Sequence, residues 1–445
     1  MRLEIPDNPV SANLKQILRA LRHRNYRLYL AGQAVSVTGT WMQQIAMGWL
    51  VYRLTDSASM LGVVGFAGQI PALLLMSVAG VLADRWNCRR ILLITQALAM
   101  VQAGAVAALA LTGLIHVWHI VILAIFLGAV NAFDMPTRHT FLVQMVEDKN
   151  DLPSGIALHS SMFNGARLVG PAIAGLLIEA AGEWLCFLIN AVSYVAVLLA
   201  LLAMRVAPRV RTRPPQRVLH ELREGLVYAF GSPAIRALLL LLAVVSLTTM
   251  PLSVLMPVFA KDELHGGPGT LGLLTSAMGL GALGGALVLA ARNSVLGLGR
   301  QIAWAGILVG LGLFGFALSG QLWLSLGLLA ITGFAMMMGM AASNTILQTI
   351  VEDDKRGRVM SLYAMAFLGT APLGSLLAGF LASHAGAVAT VEVAGVGCLA
   401  GSLVFARGLP ALRKVVRPIY QRIGILPAEP PGIPPSPQWT AGGEE

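Results

Sequence analysis

The stretch AGVLADRWNCRRILL, residues 79–93, decides how the chain is read. A long apolar run stops for Asp84, Arg85, Arg89 and Arg90, then resumes at once. A soluble core has no use for such a break. A bilayer does, because the charges form a short turn outside the hydrocarbon while the flanking runs cross it. The rest of the chain agrees: charged residues are only 12% of the 445, and the AVILMFWYC set is 56%. Apolar runs recur from residue 28 to residue 406. Each is long enough to cross a hydrocarbon core of about 30 Å at 1.5 Å per residue. They lack the short alternating pattern of a membrane β-barrel. The fold class expected is an all-α membrane protein.

The runs fall at 28–51, 60–83, 91–114, 117–136, 157–180, 184–204, 235–258, 270–291, 301–319, 322–344, 359–382 and 387–406, which predicts twelve transmembrane helices. Charge tests that count. Of the 31 Lys and Arg, 27 lie in the two ends and the even-numbered loops, two (Arg53 and Lys261) on the other side, and Arg167 and Arg236 within or beside spans. A missed or invented span would scramble this split, so both termini are expected in the cytoplasm. The net charge of +10 is then an orientation signal, not a nucleic-acid footprint. Residues 1–27 are polar and basic and do not fit a cleavable signal peptide. Cys88, Cys186 and Cys398 have no pairing or metal spacing and are read as small buried residues.

The organisation predicted is a cytoplasmic segment 1–27, a six-helix bundle 28–204, a cytoplasmic linker 205–233, a second six-helix bundle 234–408 and a disordered cytoplasmic tail 409–445. The linker is basic and Pro-rich, and its part VLHELREGLVYAF suits an amphipathic surface helix. The halves repeat. FLVQMVEDK (141–149) and TILQTIVEDDK (345–355) both follow the fourth span of their half, aligning Gln144 with Gln348. GARLVGPAIAG (165–175) and LGTAPLGSLLAG (368–379) then follow at an offset of about 200 residues. A duplicated six-helix unit is a transporter design with a site near mid-membrane.

GVLADRW followed by paired arginines resembles the signature loop of the major facilitator superfamily, Gly-x-x-x-Asp-Arg-x-Gly-Arg-Arg. Gly80, Asp84, Arg85 and Arg89 match, with Asn87 in place of Gly and Cys88 in place of an Arg. NAFDMPTR, the Gly170-Pro171 motif of the fifth span and RGRVMSLY are more narrowly similar to the drug-proton antiporter branch, which includes macrolide and enterobactin (siderophore) exporters. The resemblance covers about residues 20 to 410. It implies two pseudo-symmetric bundles that rock about a central site. The expected function is proton-coupled efflux of small amphipathic molecules by a monomer; uptake, passive exchange, or a non-transporting scaffold or sensor are the alternatives. The partners expected are a small-molecule substrate, protons and the lipid bilayer. No cofactor, metal site or nucleic acid is expected. No P-loop and no nucleophile with a supported base is present in the sequence, so neither direct ATP drive nor an enzyme is expected.

The site candidates divide by physical role. Gly80, Asp84, Arg85 and Arg89 form either an inner latch between the bundles or a solvated turn. For a latch, Asp84 would meet the positive N-terminus of the eleventh span, a gain of about 0.3–1 kcal/mol. The resemblance implies that this loop stabilises the outward-facing state. Asp134 and Arg138, four residues apart around Pro136, are either a proton-responsive pair or a fixed ion pair at the lipid boundary. The resemblance implies an arginine of the 84–90 turn as partner to Asp134, which leaves Arg85 or Arg89 because Cys88 holds the usual place. Arg167 lies deep in the fifth span, where a cation needs a partner or a water-filled cavity. It either holds an anionic substrate or pairs with an acid, or it links structurally to Asn131 or Asp134. Gly170, Pro171, Ala174 and Gly175, with Pro372 and Gly374 in the second half, offer small residues for a gating seam or for ordinary close packing. Gln33, Gln43, Gln69, Asn164, Asn190 and Asn344 are amides in apolar runs and candidates to line the cavity.

Overall fold

The computed structural model describes residues 18–146, 148–205, 218–292, 294–352, 354–422 and 425, with backbone only at 76–78, 80–85, 149 and 218–222. The tail from Leu426 and the Pro-rich linker 206–217 lie outside the described residues, as do the side chains of Asp84 and Arg85. All regular structure among the described residues is helical.

The first half holds α1 (Arg24–Thr55), α2 (Ala58–Arg85), α3 (Cys88–Leu111), α4 (Val117–Met145), α5 (Leu152–Ala181) and α6 (Glu183–Ala203). A linker helix, Val218–Gly231, occupies the stretch read as amphipathic. The second half holds α7 (Pro233–Glu263), α8 (Pro268–Ala290), α9 (Leu298–Ala317), α10 (Leu322–Ile350), α11 (Arg356–Ala385) and α12 (Ala387–Arg422). Helix α7 ends in a π turn, Phe259–Glu263, and α11 is interrupted at Gly369 and Thr370.

Among the described residues, eleven helices, α2 to α12, are long and apolar enough to cross a membrane. Helix α1 is not one of them, although its 32 residues exceed the length needed. Its composition is diluted by Gln33, Gln43 and Gln44, and Gln33 and Gln43 are buried against neighbouring helices. Several boundaries differ from the predicted ones. Helix α4 continues to Met145, α5 starts at Leu152, and α12 runs on to Arg422, through the residues assigned to a tail from 409. Hydropathy marks only the part of a helix in lipid, whereas backbone hydrogen bonding continues past the interface.

The packing repeats. In the first half α1 packs on α5 and α6, α3 on α4 and α6, and α2 on α4. In the second half α7 packs on α11 and α12, α9 on α10 and α12, and α8 on α10. The turns after α5 and α11 use glycines at equivalent places, Gly182 (φ 92°) and Gly386 (φ 86°), where a side chain would be strained. The bundles meet along two symmetric seams, α5 with α8 and α2 with α11.

The charged turn between α2 and α3 has a local cause. Asn87, which stands where the resemblance has Gly, is the N-cap of α3, and its side chain accepts from the Arg90 backbone N–H at 3.3 Å. This turn lies at the same end of the bundles as the linker helix, hereafter the linker end; the opposite end carries the α1–α2, α5–α6, α7–α8 and α11–α12 turns.

Candidate functional site: two seams and a charged cluster

Both seams close by backbone-to-backbone approach near the end opposite the linker. A Cβ on Gly272 of α8 would stand 2.5 Å from the Pro171 carbonyl oxygen of α5, and one on Gly175 would stand 2.8 Å from the Pro268 carbonyl oxygen. The second seam repeats this contact. A Cβ on Gly62 of α2 would lie 2.6 Å from the Ser375 carbonyl oxygen of α11, and one on Gly379 would lie 2.9 Å from the Ala58 carbonyl oxygen. Side-chain bonds reinforce them. Gln69 Nε2 donates to Ser375 Oγ at 3.2 Å, Ser59 Oγ to the Gly379 carbonyl at 3.4 Å, and Lys261 Nζ pairs with Asp56 at 2.6 Å. The Tyr52 hydroxyl donates to Asp262 on the π turn.

Only part of the predicted seam lies on this interface. Gly175 and Pro171 do, but Gly170 packs against Trp41 and Thr38 of α1, and Gly374 against Met250 of α7, both within their own bundles. Ala174 and Pro372 are buried. The small residues on α5 form a stripe wide enough to serve two neighbours, and the sequence cannot say which residue faces which. Gly62 and Gly272 were not singled out by sequence, whereas Gly379 closes the small-residue repeat LGTAPLGSLLAG read on the eleventh span. The signal available for those two was the small-residue spacing on α2 and α8.

Burial changes abruptly along one face of α5. Ile156, Ser160, Phe163, Arg167, Pro171, Ala174 and Ile178 are spaced three and four apart and share that face. Toward the linker end Ile156 is 52% exposed and Phe163 42%, whereas Ala174 is 0% and Ile178 6% exposed. On α11 the matching face passes from half-buried Met360, Ala364 and Phe367 to buried Ala371, Ser375, Ala378 and Ala382. The space between the bundles is therefore shut at one end and opens toward the linker end. Arg167 stands at the boundary, fifteen residues into the thirty-residue α5 and so at mid-depth.

Arg167 is linked neither to Asn131 nor to Asp134. Its guanidinium lies over the Trp41 ring, 5.6 Å from the centroid, and Trp41 meets Phe163 edge-on at 5.8 Å. Asp134 is committed elsewhere: 3% exposed, it forms an ion pair with Arg138 one turn along α4 and accepts from Thr95 Oγ1 at 2.9 Å and Gln96 Nε2 at 2.6 Å. Arg138 also donates to Gln33 Oε1 at 2.9 Å. Because α4 extends to Met145, this pair is embedded in the bundle and not at the start of a loop. Beside it, Tyr29 stacks on His159 at 6.2 Å, and His159 meets His139 at 6.5 Å. Neither histidine was singled out by sequence.

Arg89 is not the partner of Asp134, and in this state its side-chain hydrogen bonds stay within the first bundle. Its Nε and Nη2 donate to the Leu201 and Leu202 carbonyls at 2.7 and 2.8 Å, capping α6 within the first bundle. A helix C-terminus presents free carbonyls and a partial negative charge, which attracts a cation without any acidic residue. The side-chain contacts of Asp84 and Arg85 lie outside those described, and Gly80 is described by backbone alone.

Three predicted lining amides turn out to be internal ties. Asn190 Nδ2 donates to Gln43 Oε1 at 2.7 Å, and Gln43 Nε2 to Gln102 Oε1 at 3.0 Å, a chain that joins α6, α1 and α3. Gln33 serves Arg138 as described. Buried amides satisfy one another where no water reaches, so an amide in an apolar run does not by itself mark a cavity. Gln69 sits on a seam, Asn164 bonds the Ser160 carbonyl of its own helix at 2.9 Å, and Asn344 accepts from Gln348. At the end opposite the linker, Arg53 holds Glu183 through two bonds of 2.7 and 3.2 Å.

This architecture, two six-helix units related by a repeat and sealed along symmetric seams, defines a multi-pass transporter of the major facilitator type. Solved structures with the same fold include a peptide transporter (TM-score 0.68, 13% identity, 88% of this chain and 95% of that one). A bacterial homologue of the iron transporter ferroportin is also similar (TM-score 0.65, 16% identity, covering 86% and 98%). The family profile described as transmembrane secretion effector matches residues 16–416, and the chain belongs to that family. Curated relatives include a multidrug efflux pump, Tap, of Mycolicibacterium fortuitum, 30% identical over 82% of this chain and 90% of its own length. A staphyloferrin A transporter of Staphylococcus aureus is 27% identical over 82% and 92%. A macrolide efflux protein of Streptococcus pyogenes is 22% identical over 82% and 92%.

Proposed function

We propose that the protein is a secondary transporter of the bacterial inner membrane. It exports small amphipathic molecules of drug or siderophore type in exchange for protons, by alternating access, and works as a monomer without enzymatic chemistry. The observation that carries this reading is the change of burial along α5 and α11, which closes one end of the inter-bundle space and leaves the other open. The basic linker end is assigned to the cytoplasm on the distribution of Lys and Arg. The geometry is then that of a carrier loaded from the inside. The opposite state requires both seams to part and the linker ends of the bundles to meet, where Gly80, Asp84 and Arg85 are assigned the role of latch. A substrate shifts the balance only through unequal affinity for the two states. Protons enter through the Asp134–Arg138 pair: neutralising Asp134 releases Arg138 from its counter-charge and changes the cost of burying both. The relatives named for efflux and for siderophore transport support the substrate range.

The test is flux in proteoliposomes with an imposed pH gradient, using a panel of anionic, neutral and cationic amphipathic dyes. Uphill movement of at least one dye that stops when the gradient is collapsed is the expected result. Flux indifferent to the gradient would remove proton coupling, and absence of flux for the whole panel would remove the transporter reading.

A further inference from the structure

We propose that the ligand is an organic anion, with a carboxylate or similar oxyanion on an apolar or aromatic body, and that Arg167 binds its charge. The proposal rests on the transport reading above and narrows its substrate class.

Arg167 stands out by charge balance. Of the charges that the described residues place at mid-depth, Asp134 and Arg138 neutralise each other, and both are held by further hydrogen bonds. Arg167 has neither an acidic partner nor a hydrogen-bond acceptor among the described residues; its contact is the Trp41 ring. Along α5 the next acid, Glu179, is twelve residues on, about 18 Å away. A ring face offsets part of the cost of removing a guanidinium from water, but it accepts none of its five N–H donors. A cation kept at mid-membrane in that condition needs water or a ligand in front of it.

Position supplies the rest. Arg167 is at the closed apex of the opening, on the same face as exposed Phe163 and next to Trp41. A molecule entering from the linker end meets aromatic walls and then one fixed positive charge. Guanidinium binds carboxylate through two parallel hydrogen bonds, which a neutral or cationic ligand cannot make. No unpaired acid among the described residues at this depth offers a cation the same reward.

The experiment uses the full chain in nanodiscs and three probes with one aromatic body: 1-naphthylacetate, its methyl ester, and 1-naphthylmethylammonium. Equilibrium binding is measured for wild type, Arg167→Gln and Arg167→Lys, with unliganded melting as a folding control. The acid is expected to bind roughly ten- to a hundred-fold more tightly than the other two. Arg167→Gln is expected to abolish that preference and Arg167→Lys to keep part of it. Equal response to the three probes, tighter binding of the ammonium probe, or a preference that survives Arg167→Gln would overturn the proposal. If gradient-driven flux of the dye panel persists while the acid preference is missing, the anion assignment alone fails. If flux is missing as well, the transport reading fails with it.

Discussion

Adding one methyl group at Gly272 should tip the carrier toward its other state. In the closed seam that methyl would stand 2.5 Å from the Pro171 carbonyl oxygen and 3.1 Å from the Gly175 Cα, both backbone atoms that cannot swing aside. Its counterpart at Gly62 would meet the Ser375 carbonyl oxygen at 2.6 Å and the Gly379 Cα at 2.8 Å. Overpacking of this kind costs about 1–3 kcal/mol. The cost falls on the closed seam and vanishes when the helices part, so each Gly→Ala change shifts the closed-to-open ratio by about 5- to 150-fold. The readout is disulfide formation in a chain carrying both Asp56→Cys and Lys261→Cys, whose parent side chains meet across the bundles at 2.6 Å. The native Cys88, Cys186 and Cys398 are buried and form no disulfide, so they do not interfere. Gly272→Ala and Gly62→Ala should each slow cross-linking, and together slow it further. Gly165→Ala on α5, where a Cβ meets nothing within 4 Å, should not. Cross-linking at the wild-type rate in both seam variants would refute the assignment of these glycines to a moving closure.

Other outcomes follow from the same contacts. Asp134→Asn strands a buried guanidinium and should destabilise the fold by about 3–5 kcal/mol in thermal melts, with Arg138→Gln in the same chain restoring much of the loss. Arg89→Gln should cost about 0.3–2 kcal/mol in melting by uncapping α6, while leaving the rate of cross-linking between the thiols introduced at positions 56 and 261 unchanged. The exposed Lys261–Asp56 pair should show a coupling of only about 0.2–1 kcal/mol in a double-mutant cycle, fading with salt. The contact of Arg22 with Asp148 should be pH-sensitive in one direction. The Asn150 backbone N–H, and then Arg22, hold the Asp148 carboxyl below the usual carboxylate range. Its contribution is therefore complete at neutral pH and is lost as pH falls through that depressed value, below the ordinary carboxylate range. Amide exchange across residues 19–23, corrected for its intrinsic pH dependence, measures the loss.

Much of the architecture was legible because lipid imposes one rule on every residue of a span. Apolar length, the uneven split of Lys and Arg, and the repeat of Gln144 at Gln348 each report it without knowledge of contacts. Helix ends were less legible, as α12 shows: the sequence marks where lipid stops, not where the helix does. The candidate site was legible in residue type and not in partnership. Asp134 and Arg167 stood out because an ionised group in an apolar run is costly, and Arg138, just past the predicted span, stood out as a cation one turn from Asp134. That two of them pair and the third does not depends on how α1, α3 and α4 turn their faces, which no local pattern fixes. Arg53 and Lys261 carried a signal of their own: as the two cations on the sparse side, they needed a reason to be there, and both are in ion pairs.

The sequence by itself determined that this is a membrane chain with two related halves, because hydrophobic length and charge placement are properties of single segments in a slab of lipid. Only the tertiary structure decided which glycines touch across the bundles, that Gln43 and Asn190 tie helices together instead of lining a cavity, and that Arg167 stands without an acid at the apex of the opening. Those outcomes depend on the rotation and approach of helices far apart in the chain, and a stripe of small or polar residues is compatible with several neighbours until packing selects one.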